Sequence, residues 1–149
     1  MGNLSEHFSN KDFLCRCGEC KDAVRIHLGL IGALEAITEY FRKTPTIHEA
    51  YRCDIYNEKH NIQKKNSHRL GKAAHISLQN VELKDLFNFA QTLQEIRGIG
   101  FNPSENLLHI DTRTLDKDEN KEVWLKDGSK ITPMTEEMRS RYGLNQVNA

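Results

Sequence analysis

Ser67-His68-Arg69-Leu70-Gly71-Lys72-Ala73-Ala74-His75-Ile76 is the stretch on which the reading of this chain turns. One continuous helix over it would set the Cα atoms of His68 and His75 about 10 Å apart at 1.5 Å per residue, an awkward separation for two imidazoles meant to serve one centre. Gly71 argues for a turn instead, after which Ala73-Ala74-His75-Ile76-Ser77-Leu78 reads as a short, largely buried strand. A second strand is read in Asn106-Leu107-Leu108-His109-Ile110-Asp111-Thr112-Arg113. Its alternation puts His109 and Asp111 on one face and turns Leu108 and Ile110 toward a core.

Working outward, Val24 to Arg42 carries apolar residues at spacings of three and four (Val24, Leu28, Ile31, Leu34, Ile37, Phe41) and predicts an amphipathic core helix stopped by Pro45. His27 within it reads as structural. Thr46 to Ala50 reads as a strand that ends beside Tyr51-Arg52. A second helix is predicted from about Val81 to Ile96, with Asn80 as its cap and with Gly98 and Gly100 ending it. Val123-Trp124-Leu125 suggests an edge strand. The sum is an α+β domain with a small, mainly antiparallel sheet and two main helices over residues 1–126. A polar tail follows over 127–149, with the start of a short capped helix at Thr135-Glu136-Glu137-Met138.

Three imidazoles and a carboxylate gathered by these strands suit one zinc ion. Zinc takes neutral imidazole nitrogens at about 2.0–2.1 Å, and its catalytic sites keep a fourth position open for water. His68, His75 and His109 are the expected ligands. Asp111 is the expected catalytic carboxylate, either as the base that activates water or as the group that orients His109 from behind; the sequence leaves both roles open. A single histidine in a short strand is more often a hydrogen-bonded, half-buried side chain, so it is the joint pattern that points to a metal.

With Leu4-Ser5-Glu6-His7-Phe8, Asp12-Phe13, Tyr51-Arg52-Cys53, Tyr56-Asn57, His68-x-x-Gly71-x-Ala73 and His109-x-Asp111-x-Arg113 in this order, the chain resembles the zinc D-alanyl-D-alanine carboxypeptidases over about residues 4–125. That family includes phage L-alanyl-D-glutamate endopeptidases and shares its fold with the hedgehog signalling domain. The resemblance implies a zinc peptidase acting on peptidoglycan peptides at bonds that involve D-amino acids. It also implies Arg52 as the anchor of a substrate carboxylate, for which the planar guanidinium fork is suited. The family's ligand set is His, Asp, His, and His75 stands where the aspartate would be. That exchange raises the net charge of the site by one unit, although three histidines make a workable zinc site. The same departure supports a rival reading, a binding module that keeps the fold and the zinc without the catalysis.

Net charge is zero, with 21 basic and 21 acidic side chains, and gives no electrostatic reason to expect nucleic acid or an anionic membrane as partner. No stretch is long and apolar enough to span a bilayer. The 149 residues, 38% hydrophobic and 28% charged, fit one soluble domain, expected as a monomer. The first residues lack the pattern of a secretory signal. The expected setting is therefore the cell envelope or periplasm, reached by another route or after loss of a leader, or a phage or prophage lysis protein. Cys15, Cys17, Cys20 and Cys53 could hold a structural zinc or form disulfides. The resemblance implies that Cys53 lies near the N-terminal segment.

Overall fold

The computed structural model of the chain describes residues 4–15, 26–51, 71–114 and 120–146. Among these, six strands form one sheet: β1 (Thr46–Glu49), β2 (Ala73–Ser77), β3 (Gly98–Asn102), β4 (Leu107–Asp111), β5 (Glu122–Asp127) and β6 (Lys130–Pro133). Their order across the sheet is β1-β2-β4-β3-β5-β6. Only β3 and β5 pair in parallel; the other neighbours are antiparallel. With helices α1 (Leu28–Phe41), α2 (Leu83–Gln91) and α3 (Glu136–Tyr142), this is a single α+β domain with a mainly antiparallel sheet, as the sequence pattern implies.

The alternation of β2 and β4 divides the sheet into two faces. Ala74, Ile76, Leu108 and Ile110 are fully buried and join Ile99 and Phe101 of β3 in a cluster with Leu30, Leu34 and Ile37 of α1 and Leu86, Phe87 and Ala90 of α2. Burial of this apolar surface is the main favourable term in folding. The opposite face carries His75, His109 and Trp124, which are only partly buried.

The N-terminal segment is stapled to α1. Ser5 Oγ donates to Glu35 Oε1 at 2.5 Å, the backbone N–H of His7 donates to the same oxygen at 2.8 Å, and His7 Nδ1 lies 2.7 Å from Oε2. Burial pushes the Glu35 carboxyl up, but these bonds outweigh it and hold the group below its ordinary value. Phe8 and Phe13 fill the space beneath. The backbone N–H of Tyr51 donates to the Phe13 carbonyl at 3.3 Å, which ties this segment to the chain that leaves β1. His27, read as lying within the first helix, instead precedes the first turn of α1, and its Nδ1 pairs with Thr112 Oγ1 at 3.1 Å.

Several boundaries differ from those read in the sequence. Helix α1 starts at Leu28, and Arg42 in a left-handed conformation ends it (φ 59°) before Pro45 is reached. Asn80 does not cap the second helix. It takes a left-handed turn position (φ 63°), and Glu82 precedes the first turn of α2. That helix stops at Gln91, where Thr92 Oγ1 bonds back to the Phe89 carbonyl at 2.6 Å. Leu93 and Ile96 continue to point inward from a loop, and the Lys121 ammonium bonds both of their carbonyls. Gly98 and Gly100 end no helix: both lie within β3.

Strand β5 is not at the edge, because β6 covers it. β6 comes from the segment read as a polar tail; as an outer strand it buries little, so its sequence needs no apolar alternation. The helix begun at Thr135 forms as α3, with Thr135 Oγ1 accepting from the Met138 N–H at 3.2 Å and Gly143 (φ 72°) closing it. Tyr142 packs its ring against Phe101, and Leu144 is buried. No helix among the described residues is long and apolar enough to cross a membrane.

Candidate metal centre

Of the candidate site residues and cysteines singled out in the sequence, His75, His109, Asp111 and Cys15 fall in the described part of the chain. His68, Arg52, Cys17, Cys20 and Cys53 lie outside it. Strand pairing sets His75 directly against His109. Their rings approach edge to face, with His75 Nε2 3.1 Å from His109 Nδ1.

The outer nitrogens explain what the inner ones can do. His109 Nε2 lies 2.7 Å from Asp111 Oδ2. An ionised carboxylate only accepts, so Nε2 carries the proton and Nδ1 offers its lone pair to the space shared with His75. His75 Nδ1 lies 3.7 Å from Glu49 Oε2, and that charge favours the proton on Nδ1. With the proton on His75 Nε2 the two rings share a hydrogen bond at 3.1 Å; with it on Nδ1 both lone pairs face the shared space and suit a cation there. Two ligands at 2.0–2.1 Å around a tetrahedral ion would have their nitrogens about 3.3 Å apart, close to the separation found. Among the described residues no group of three His, Cys, Asp or Glu side chains stands ready for a metal. The pair therefore fits as two members of a ligand set whose third expected member, His68, is outside the described residues.

Asp111 has no solvent exposure. Its Oδ1 accepts from Arg113 Nε at 2.9 Å and from the Arg113 backbone N–H at 3.1 Å, while Oδ2 accepts from Arg113 Nη2 and from His109, both at 2.7 Å. Burial alone would raise its pKa; the bonds and charges of His109 and Arg113 win and hold the carboxyl far below the usual carboxylate range. A carboxylate so saturated and so weakly basic suits holding His109 in one tautomer. It is badly placed to take a proton from water, so of the two roles the sequence left open, the geometry fits orientation.

Three features of the site were given no role in the sequence reading, although Arg113 was quoted there in the motif His109-x-Asp111-x-Arg113. The first is Arg113, which clamps Asp111, bonds Glu122 Oε2 through Nη1 and lies 5.0 Å above the Trp124 ring. Its spacing was a usable signal, since residues 109, 111 and 113 share one strand face. The second is Trp124, whose ring lies 5.0 Å from that of His109. The third is the pair of glycines in β3, opposite Asp111 and His109 respectively. A Cβ on Gly98 would collide with the Asp111 carboxylate, and one on Gly100 would sit 2.5 Å from Trp124 Nε1. The bare backbone of β3 lets both side chains lie across it. Gly100→Ala is therefore expected to cost about 1–3 kcal/mol and to shift the emission of Trp124, read by urea unfolding and fluorescence; unchanged stability and emission would show that the ring has room to move.

A cavity of about 370 Å³ opens on this face, with His75, His109, Arg113, Trp124, Lys126 and Ile131 in its lining.

The Peptidase M15 family matches residues 6–111, which takes in His7 and Glu35 of the N-terminal staple, β1 to β4, His75, His109 and Asp111. The chain belongs to the Peptidase M15 family. That membership agrees with the resemblance seen in the sequence and makes this a chain of a zinc metallopeptidase family whose members act on peptidoglycan. No curated protein and no solved structure matches the chain.

Proposed function

We propose that this M15 chain is an active zinc peptidase that cuts peptidoglycan stem peptides at bonds involving D-amino acids, and so degrades or remodels the bacterial wall. The observation that carries the reading is the pair of inward-facing imidazole nitrogens 3.1 Å apart, held by carboxylates on their outer sides, in a chain of this family. His68, His75 and His109 would hold the ion. Bound there, the ion would supply Lewis-acid chemistry for the scissile carbonyl and for water.

The chain's own residues supply the setting. Asp111 keeps the proton on His109 Nε2, and Arg113 keeps Asp111 ionised. Trp124 walls one side of the imidazole and limits its contact with solvent. Arg52 is the proposed anchor for the substrate carboxylate. Such an enzyme would work at the cell envelope, as a phage or prophage lysis protein or as a wall enzyme. The rival reading, a zinc-binding module without turnover, draws on His75 in place of the family's aspartate.

The deciding experiment gives the purified full chain peptidoglycan stem peptides, then adds chelator, then restores zinc. Cleavage that chelator abolishes and about one equivalent of zinc restores is the expected result. Cleavage indifferent to chelator, or none with zinc bound, would remove the proposal, and the second of these would favour the binding module.

A further inference from the structure

We infer that the β5–β6 hairpin forms a subsite for a second carboxylate of the peptide substrate, with Lys126 as its counter-charge and Trp124 as its floor; the inference rests on the peptidase reading above. The cavity that begins at His75 and His109 runs on to Lys126 and Ile131. Register makes this continuous. Gly100 pairs with His109 on one side and with Trp124 on the other, Lys126 follows Trp124 on the same face, and Ile131 is opposite Lys126.

The two cations of this cavity differ in what they have left to offer. Arg113 is engaged by Asp111 and Glu122. Lys126 has no ion pair or side-chain hydrogen bond among the described residues, although Trp124 and Lys126 itself are partly buried. Ile131 is 61% exposed, a large apolar side chain beside that ammonium. An ammonium flanked by an indole and an isoleucine matches a carboxylate carried on a short apolar stem.

Spacing fixes which carboxylate. Two strand separations of about 4.8 Å and two residues of about 3.4 Å put the Cα of Lys126 about 12 Å from that of His109. Extended peptide advances about 3.4 Å per residue, so with the reach of the lysine the group recognised lies two or three residues from the bond at the imidazole pair. With the bond between the two D-alanines at the imidazole pair, the γ-linked D-glutamate of a stem peptide is that far away, keeps its α-carboxylate free and meets that description. The hairpin lies beyond residue 111, so the family match is silent about it.

Trp124 is the only tryptophan in the chain, so its emission reports this cavity directly. The probes are N-acetyl-L-alanyl-γ-D-glutamyl-L-lysyl-D-alanyl-D-alanine and the same peptide with the glutamate α-carboxylate made a carboxamide, titrated into zinc-loaded protein. The carboxylate peptide is expected to bind about tenfold tighter. Lys126→Met should bind both peptides equally, and Lys126→Arg, which keeps the charge, should retain the preference. Equal binding by the unaltered protein, or a preference that survives Lys126→Met, would overturn the subsite. Hydrolysis is followed in parallel. A preference without turnover supports the subsite and removes the peptidase reading; turnover without preference removes the subsite alone; no emission change with either peptide removes the subsite, and the peptidase reading with it only where hydrolysis is absent too.

Discussion

Asp111→Ala is expected to cost the fold about 3 kcal/mol, near the lower end of the range for breaking a buried ion pair. The carboxylate is fully buried and receives three bonds from Arg113 and one from His109. Its loss leaves the guanidinium with Glu122 as its one remaining carboxylate partner among the described residues. Urea unfolding at neutral pH measures the difference, and a loss under 1 kcal/mol would show that the cluster adds little. The pH dependence has a definite sign. The folded carboxyl titrates far below its unfolded value of about 3.9, so its contribution is complete above that value and is lost as the pH falls through the acid range. The unaltered chain should therefore lose stability below about pH 4 more steeply than Asp111→Asn.

The same substitution separates positioning from proton transfer. If Asp111 only holds His109, Asp111→Asn weakens zinc binding by 10–100-fold, and saturating zinc restores most of the rate. A large loss of rate that persists with zinc fully bound would make Asp111 the base after all.

How much of this was legible in the sequence follows from where each residue's partners lie. Strand β4 was readable because one face is core and the other is the site, so Leu108 and Ile110 alternate cleanly with His109 and Asp111. β3 was not, since Gly98-Ile99-Gly100-Phe101 imitates the end of a helix. The reason for its glycines lies in Asp111 and Trp124, which no local pattern connects to them. β6 was hidden by its position at the sheet edge, where exposed side chains erase the strand period. Helix α1 was legible from its apolar spacing, but its first turn was not: Leu28, read as part of the apolar face, opens the helix with its side chain exposed. The histidine pair was found through spacing and resemblance together. Glu49 was missed because its place depends on a bulge in β1.

That bulge gives the second large expectation, a coupling between positions 49 and 75. The pairing of Thr46 with Ser77 and Ile47 with Ile76 would, if continued, set His48 against His75; the register slips and Glu49 arrives there instead. Its carboxylate stands 3.7 Å from His75 Nδ1. The family resemblance implies an aspartate at 75, so the proposed ligand set would have one negative charge fewer, with the Glu49 carboxylate beside His75. Glu49→Gln should then weaken zinc binding by at least tenfold by removing the charge that steadies the imidazole. His75→Asp should also weaken it, because two carboxylates would crowd one another across β1 and β2. The double variant brings the charge back to its starting count and should bind zinc more tightly than the two separate losses would predict, with a coupling energy of about 1–3 kcal/mol in a double-mutant cycle. Strictly additive losses would mean that Glu49 and His75 are neighbours in the sheet without being partners at the metal, and His75 would then have to be read as an uncompensated loss of the aspartate.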